Sequence, residues 1–323
     1  MELICPAGTL TSFRDAVDAG ADAVYCGFRN ETNARNFPGL NLSRDELAEA
    51  VDYAGARGVK TLVAINTFMR AGDEALWTKA VDDAVALGAD AIIIADLGLL
   101  AYAAERYPDH RRHLSVQAAA ANVDHINFLV DAFGVKRVVL PRVLTVAEIA
   151  SVTRQVRCET EVFVFGGLCV MEEGRCSLSS YATGKSPNMQ GVCSPASHVS
   201  YGRNGGEMIS YLGEFTVNRF PEDEPAGYPT LCKGRFVAGD EKGYLFEDPV
   251  SLDVLSHIPA LEQAGVSALK IEGRQRGRAY ISQVVGQIRK ALNKSGSGPE
   301  MEALRRLSEG QRTTAGSFEK RWR

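Results

Sequence analysis

No hydrophobic run in this chain comes near the ~20 residues that a membrane-spanning helix requires. The most apolar stretch, Ala91-Ile92-Ile93-Ile94-Ala95, has the length of a strand. The N-terminus lacks a basic region, an apolar segment and a small-residue cleavage site, so no targeting signal is expected and a cytoplasmic setting is. Met1-Glu2-Leu3-Ile4-Cys5 reads instead as entry into a buried strand. An excess of one charge sign is also missing: 36 Lys and Arg stand against 40 Asp and Glu, a net charge of -4 and a pI of about 5.8. That balance argues against a surface that tracks nucleic acid as a whole, leaving room only for a local basic patch; no DNA partner is expected. There is no G-x-G-x-x-G after the first strand, no H-E-x-x-H and no G-x-S-x-G, so dinucleotide-binding, zinc-peptidase and serine-hydrolase readings lack their motifs. The five histidines form no ligand pattern, and His110 to His113 is a polar stretch expected at the surface.

What is present is a repeat. A helix, a Gly or Ala turn and a short apolar strand recur at Ala19-Gly20-Ala21-Asp22, Leu87-Gly88-Ala89-Asp90, Phe133-Gly134-Val135-Lys136 and Ala264-Gly265-Val266-Ser267. Glycine stands where a helix end needs positive φ, and the run that follows lacks alternation, as a parallel strand buried on both faces does. Strands are expected at Glu2–Cys5, Ala23–Gly27, Thr61–Asn66, Ala91–Asp96, Leu114–Gln117, Arg137–Leu140, Glu161–Phe165 and Ala268–Glu272, with helices between them such as Arg44–Arg57, Glu74–Leu87 and Val146–Arg154. Ser43, Asp73, Asn122 and Thr145 are expected N-caps. The pattern predicts an α/β fold, a (β/α)8 TIM-like barrel, with a doubly wound sheet as the alternative. A chain of 323 residues suffices for one such domain. We expect the barrel over 1–294, including a cysteine-bearing insertion over 167–250 after strand seven, then a linker and C-terminal tail over 295–323, where Ser295-Gly296-Ser297-Gly298-Pro299 reads as flexible.

Four of the seven cysteines lie in that insertion, Cys169, Cys176, Cys193 and Cys232, spaced C-x6-C-x16-C-x38-C. Each has Gly or Pro within three residues, which lets backbone wrap a metal group and turn N–H groups toward sulfur. Four thiolates hold either a cubane cluster or a tetrahedral zinc. Structural zinc prefers tight C-x2–4-C knuckles, absent here, so wide spacing favours an iron–sulfur cluster. Cys5, Cys26 and Cys158 lie on or beside expected strands and read as small buried residues.

Barrel chemistry comes from strand C-termini. Tyr25, Asn66, Asp96, Gln117, Arg142, Lys270, Glu272 and Arg274 stand there, and Arg35 lies in the loop after strand two. A ring of Arg35, Arg142, Lys270 and Arg274 would bind a di-anion; the competing reading makes Lys270 and Glu272 a structural ion pair. No histidine is placed by the sequence to activate Cys169 as a peptidase nucleophile.

Several stretches resemble the collagenase-like (U-32) peptidase family. They are Glu161 to Cys169, Gly174-Arg175-Cys176-Ser177-Leu178-Ser179, Cys5-Pro6-Ala7-Gly8, Gly20 to Tyr25, Asn33-Ala34-Arg35-Asn36-Phe37 and Lys270-Ile271-Glu272-Gly273-Arg274. Gly167 departs from the family, which usually has Ser or Ala there. Val138 to Leu144, Ala226 to Arg235 and the short length are most similar to members serving oxygen-independent ubiquinone biosynthesis. The resemblance implies that Cys169, Cys176, Cys193 and Cys232 ligate a [4Fe-4S] cluster. It also implies a heterodimer with a second cluster-bearing member, ring hydroxylation of a quinone precursor, and prephenate as oxygen donor. Collagenase-like peptidase activity and tRNA or rRNA hydroxylation are the alternatives within the family.

Overall fold

The computed structural model describes residues 1–293 except 172, 225, 245 and 249, and then 304, 306–308 and 312–319. Eight parallel strands close into a barrel: β1 (Glu2–Pro6), β2 (Ala23–Gly27), β3 (Lys60–Ile65), β4 (Ala91–Ile94), β5 (Arg112–Leu114), β6 (Arg137–Val139), β7 (Glu159–Gly167) and a closing strand, Ala268–Ile271. The closing strand pairs with β1 through Leu3↔Leu269 and with β7 through Leu269↔Val162, which completes the ring. The open-sheet alternative is thereby excluded.

Alternation along the strands builds two cores. Ile4, Tyr25, Leu62, Ala64, Ile93 and Ala268 point inward and pack the barrel interior. Leu3, Val24, Val63, Ile92, Ile94 and Leu269 point outward and meet the helices. The helices are α1 (Leu10–Asp18), α2 (Arg44–Gly55), α3 (Ala75–Ala86), α4 (Leu97–Arg106), α5 (Val123–Phe133) and α6 (Val146–Thr153). Ser43 and Thr145 close capping boxes with Glu46 and Glu148, and Asn122 accepts from the His125 N–H. Asp73 does not cap: α3 begins after Glu74 without a side-chain bond, and Asp73 pairs with Arg70 instead. Gly20, Gly88, Gly134 and Gly265 all have positive φ, as the turns require.

Two expectations change at β5. The strand starts earlier than expected, at Arg112, and Val116–Ala118 is a 3-10 turn capped by Ser115, so Gln117 leaves the ladder. Arg112 and His113 are also buried, against the surface position expected for this polar stretch. Arg112 is tolerated because its guanidinium donates to four backbone carbonyls, those of Phe133, Tyr107, His110 and Pro108.

After β7 the chain forms α7 (Leu178–Thr183), then an antiparallel meander, β8 (Val199–Asn204), β9 (Glu207–Leu212) and β10 (Phe215–Phe220), and a hairpin, β11 (Arg235–Ala238) with β12 (Glu241–Tyr244). β13 (Ser251–Asp253) returns antiparallel to β7; α8 (Ile258–Ala264), the closing strand β14 and α9 (Arg278–Asn293) follow. β15 (Thr313–Thr314) pairs with β13, so the tail rejoins the barrel sheet there. The expected linker at 295–299 lies outside the described residues. Among the described residues no helix is long and apolar enough to cross a membrane.

Candidate active site at the barrel mouth

The C-terminal strand ends enclose a cavity. Tyr25, Asn66, Gln117, Arg142, Lys270, Glu272 and Arg274, expected from strand position, line it together with Arg35 from the loop after β2. Asp96 does not: one oxygen caps α4 at Leu99 N and the other accepts from Met69 N, so its role is structural. Phe163 and Ile93 add apolar walls beside Tyr25.

The four cations of the mouth differ in their partners. Lys270 Nζ lies 2.6 Å from Glu161 Oε1, a carboxylate fully buried in the barrel, and 4.1 Å from the Tyr25 ring centroid. The competing reading of Lys270 and Glu272 as an ion pair therefore does not hold. Glu272 instead accepts the Gly167 N–H at 3.0 Å and stands 3.4 Å from Arg35 Nε. Burial alone would raise the Glu272 carboxyl, but Arg35, Arg142 and the Gly167 N–H outweigh it and hold it below the usual carboxylate range. Arg142 packs on the Phe163 ring, donates to the Gly167 carbonyl and meets Glu173 Oε1 at 2.6 Å. Arg274 is the exception. Among the described residues no carboxylate forms an ion pair with it; its side-chain hydrogen bond goes from Nη1 to Asn33 Oδ1 at 3.2 Å. Burial pulls its guanidinium down to about 10. The mouth is thus a set of three ion pairs plus, among the described residues, one guanidinium without a carboxylate in ion-pair contact, rather than a ring of four free cations.

Glu161 and Glu173 were not singled out by sequence reasoning. For Glu161 a signal existed: it stands inward at the start of an otherwise apolar run, where a carboxylate needs a buried cation. Glu173 sits in an irregular segment and offered none.

The insertion roofs this cavity through a repeated step. Gly167-Leu168-Cys169, Gly174-Arg175-Cys176 and Gly191-Val192-Cys193 each place a glycine two residues before a cysteine. Each glycine presses on the mouth. A Cβ at Gly167 would lie 2.6 Å from Glu272 Oε2, one at Gly174 1.9 Å from the Gln117 carbonyl oxygen, and one at Gly191 2.2 Å from the Asn33 carbonyl oxygen. The glycine that departs from the family resemblance thus gives Glu272 its close approach to the Gly167 N–H.

The four insertion cysteines are free thiols. Burial pushes the Cys169 and Cys232 thiols up to about 12 and raises Cys193 as well. Among the described residues no three Cys, His, Asp or Glu side chains converge as ligands of a single ion. Four thiols are the donor type that a cubane cluster or a tetrahedral zinc takes, and their wide spacing along the chain is the feature that favours the cluster. The positive iron of such a group would offset the cost of thiolate in this buried setting.

The profile of peptidase family U32 matches residues 8–321. The chain belongs to that family. The tRNA hydroxylation protein P of Escherichia coli is 32% identical over 92% of this chain and 69% of its own length. The 23S rRNA 5-hydroxycytidine C2501 synthase of the same organism is 29% identical over 91% of this chain and 39% of its own length. A collagenase of Porphyromonas gingivalis is 26% identical over 95% of this chain and 69% of its own length.

Proposed function

We propose that this U32 chain is the [4Fe-4S] subunit of an oxygen-independent hydroxylase that acts on the ring of a ubiquinone precursor, as UbiU does, in a heterodimer with a UbiV-like partner and with prephenate as oxygen donor. The observation that carries the hydroxylase reading is the union of four loop thiols and a buried, aromatic-walled cavity, joined at three Gly-x-Cys steps. When bound, the cluster would supply one-electron chemistry. The chain's own residues do the rest. Tyr25 and Phe163 flank a ring, and Arg274, held by Asn33, offers its guanidinium to an anionic group. Relatives named for hydroxylating RNA support the reaction class.

Charge supports the small-molecule substrate. Residues 167–250 carry seven Lys and Arg against eleven Asp and Glu, so the insertion holds an excess of four negative charges, equal to that of the whole chain. A phosphodiester backbone is repelled by such a surface. RNA hydroxylation is the second reading, favoured by the 32% identity to the tRNA hydroxylation protein.

Anaerobic purification with iron and sulfide analysis comes first, and about four of each per chain is expected. Cys193→Ala should abolish iron binding; a full cluster in that variant sinks the ligand set. Co-expression with the partner and an air-free quinone-precursor assay then tests the substrate. A deletion strain with normal quinone but a missing tRNA hydroxylation transfers the function to RNA. One zinc, no colour and peptide cleavage revive the peptidase reading.

A further inference from the structure

Cys169 lies in a segment whose two ends are held by one side chain. Arg142 donates from Nη1 to the carbonyl of Gly167, two residues before Cys169, and from Nε to Glu173, four residues after it. Both Arg142 and Glu173 are buried, with side chains 3% exposed, so this is an enclosed clasp rather than a surface pair. The opposite face of Gly167 is fixed as well, because its N–H donates to Glu272. Arg142 and Glu272 are at the same time walls of the mouth cavity. The second oxygen of Glu173 is buried and has no hydrogen-bond partner among the described residues. Such an atom costs free energy unless something else at the site meets it.

We infer that Arg142 and Glu173 are positioning residues of the thiolate site: their contact ties Gly167 to Glu173 on either side of Cys169 and links the wall of the cavity to the wall of the metal centre. Arg142, which strand position assigned to substrate binding, then acts on the reaction through Cys169, leaving Arg274 as the cation available to a bound anion. The inference rests on the metal reading proposed above. Lysine cannot replace Arg142 in this role, since one ammonium does not present two fixed donors to Gly167 and Glu173.

The test uses the full chain, loaded anaerobically. Iron loss to a chelator and the electron paramagnetic resonance spectrum of the reduced protein are compared for wild type, Arg142→Met, Glu173→Ala and Glu173→Gln. Arg142→Met and Glu173→Ala should lose iron roughly 10–100-fold faster, the range seen when groups supporting metal ligands are removed, with a changed spectrum. Glu173→Gln keeps an oxygen acceptor for Arg142 Nε and should restore wild-type retention, which a role limited to net charge would not give. Wild-type retention and spectrum in Glu173→Ala overturn the inference even if Arg142→Met fails to fold. A wild-type protein that takes up no iron sinks the metal reading and this inference together; full loading with indifferent variants sinks the inference alone.

Discussion

The two ends of the barrel hold comparable sets of charged side chains and use them differently. At the foot, Arg137 is 4% exposed and is surrounded by carboxylates: Glu2 at 2.5 Å, Glu159 at 2.6 Å and Glu161 at 3.3 Å. Lys60 and Arg111 complete the network on Glu2 and Glu159. At the mouth, Arg35, Arg142 and Lys270 have one close carboxylate each, and Arg274 has none among the described residues. Glu161 belongs to both ends, joining Arg137 below to Lys270 above. A network in which every charge is met plugs a barrel; one with a charge left over can receive a ligand. The comparison turns on whether removing a cation strands carboxylates or relieves an unpaired charge.

The largest effect is expected at the foot. Arg137→Met leaves Glu161 with Lys270 alone and Glu2 and Glu159 with only exposed partners. Stripping one partner from a buried network costs about 3–5 kcal/mol, readable as a lower urea midpoint with unchanged slope. Iron content of the surviving folded protein should not change. A shift under about 1 kcal/mol would mean that the foot behaves like a surface network and that the contrast between the ends is false.

A smaller effect concerns His113, also at the foot. Its Nε2 accepts from Arg111 Nε at 2.8 Å, and its Nδ1 has no partner among the described residues. Burial, then the charges of Arg137, Arg111, Lys270 and Lys60, keep the folded ring neutral well below its ordinary range. The unfolded chain takes up a proton near pH 6.5 while the folded one does not, so stability falls as pH drops below that value. The limiting slope is about 1.4 kcal/mol per pH unit from this group. His113→Gln should flatten the stability curve between pH 6.5 and 5. An unchanged slope would assign the acid sensitivity to the carboxylates of the foot instead.

The sequence made the barrel legible because each strand is a short unbroken apolar run and four of the turns carry a glycine that positive φ demands. It made the lining of the mouth legible because strand C-termini are fixed once the strands are. It did not disclose the pairing. Lys270 and Glu272 share one strand end and invite a pairing, yet strand geometry turns Lys270 toward Glu161 on β7 and leaves Glu272 to Gly167 and Arg35. Asp96 likewise stands at a strand end, but the helix that starts beside it uses its carboxylate as a cap. Arg112 and His113 look like surface residues until β5 is seen to lie inside the ring, where backbone carbonyls and Arg111 meet them. The insertion was recognisable only as a break in the repeat, although its meander pairs neighbouring strands, Asn204 with Glu207 and Leu212 with Phe215, across short turns.

The smallest stability effect should come from Arg274, and it sharpens the comparison most. This guanidinium is as buried as Arg137, yet its side-chain hydrogen bond goes to Asn33, and Tyr25 lies 5.5 Å from its Cζ. Methionine at this position removes a desolvated charge without stranding a carboxylate. Stability should therefore change by no more than about 1 kcal/mol, or rise, since replacing buried charge with apolar volume is often neutral or favourable. The same substitution at the two ends thus predicts opposite outcomes from the same chemistry, with pairing as the sole difference. Iron content should stay at the wild-type level, because Arg274 does not bond the Gly167 step that Arg142 and Glu272 hold. Turnover with an anionic donor should fall about 100-fold or more, the scale of losing one charge-assisted contact worth near 3 kcal/mol. If Arg274→Met destabilises as strongly as Arg137→Met, its charge is structural and the cavity has no free anchor. If stability and iron hold while turnover persists, the anion is held elsewhere in the mouth, and Arg35, the most exposed of its cations, is the next residue to change.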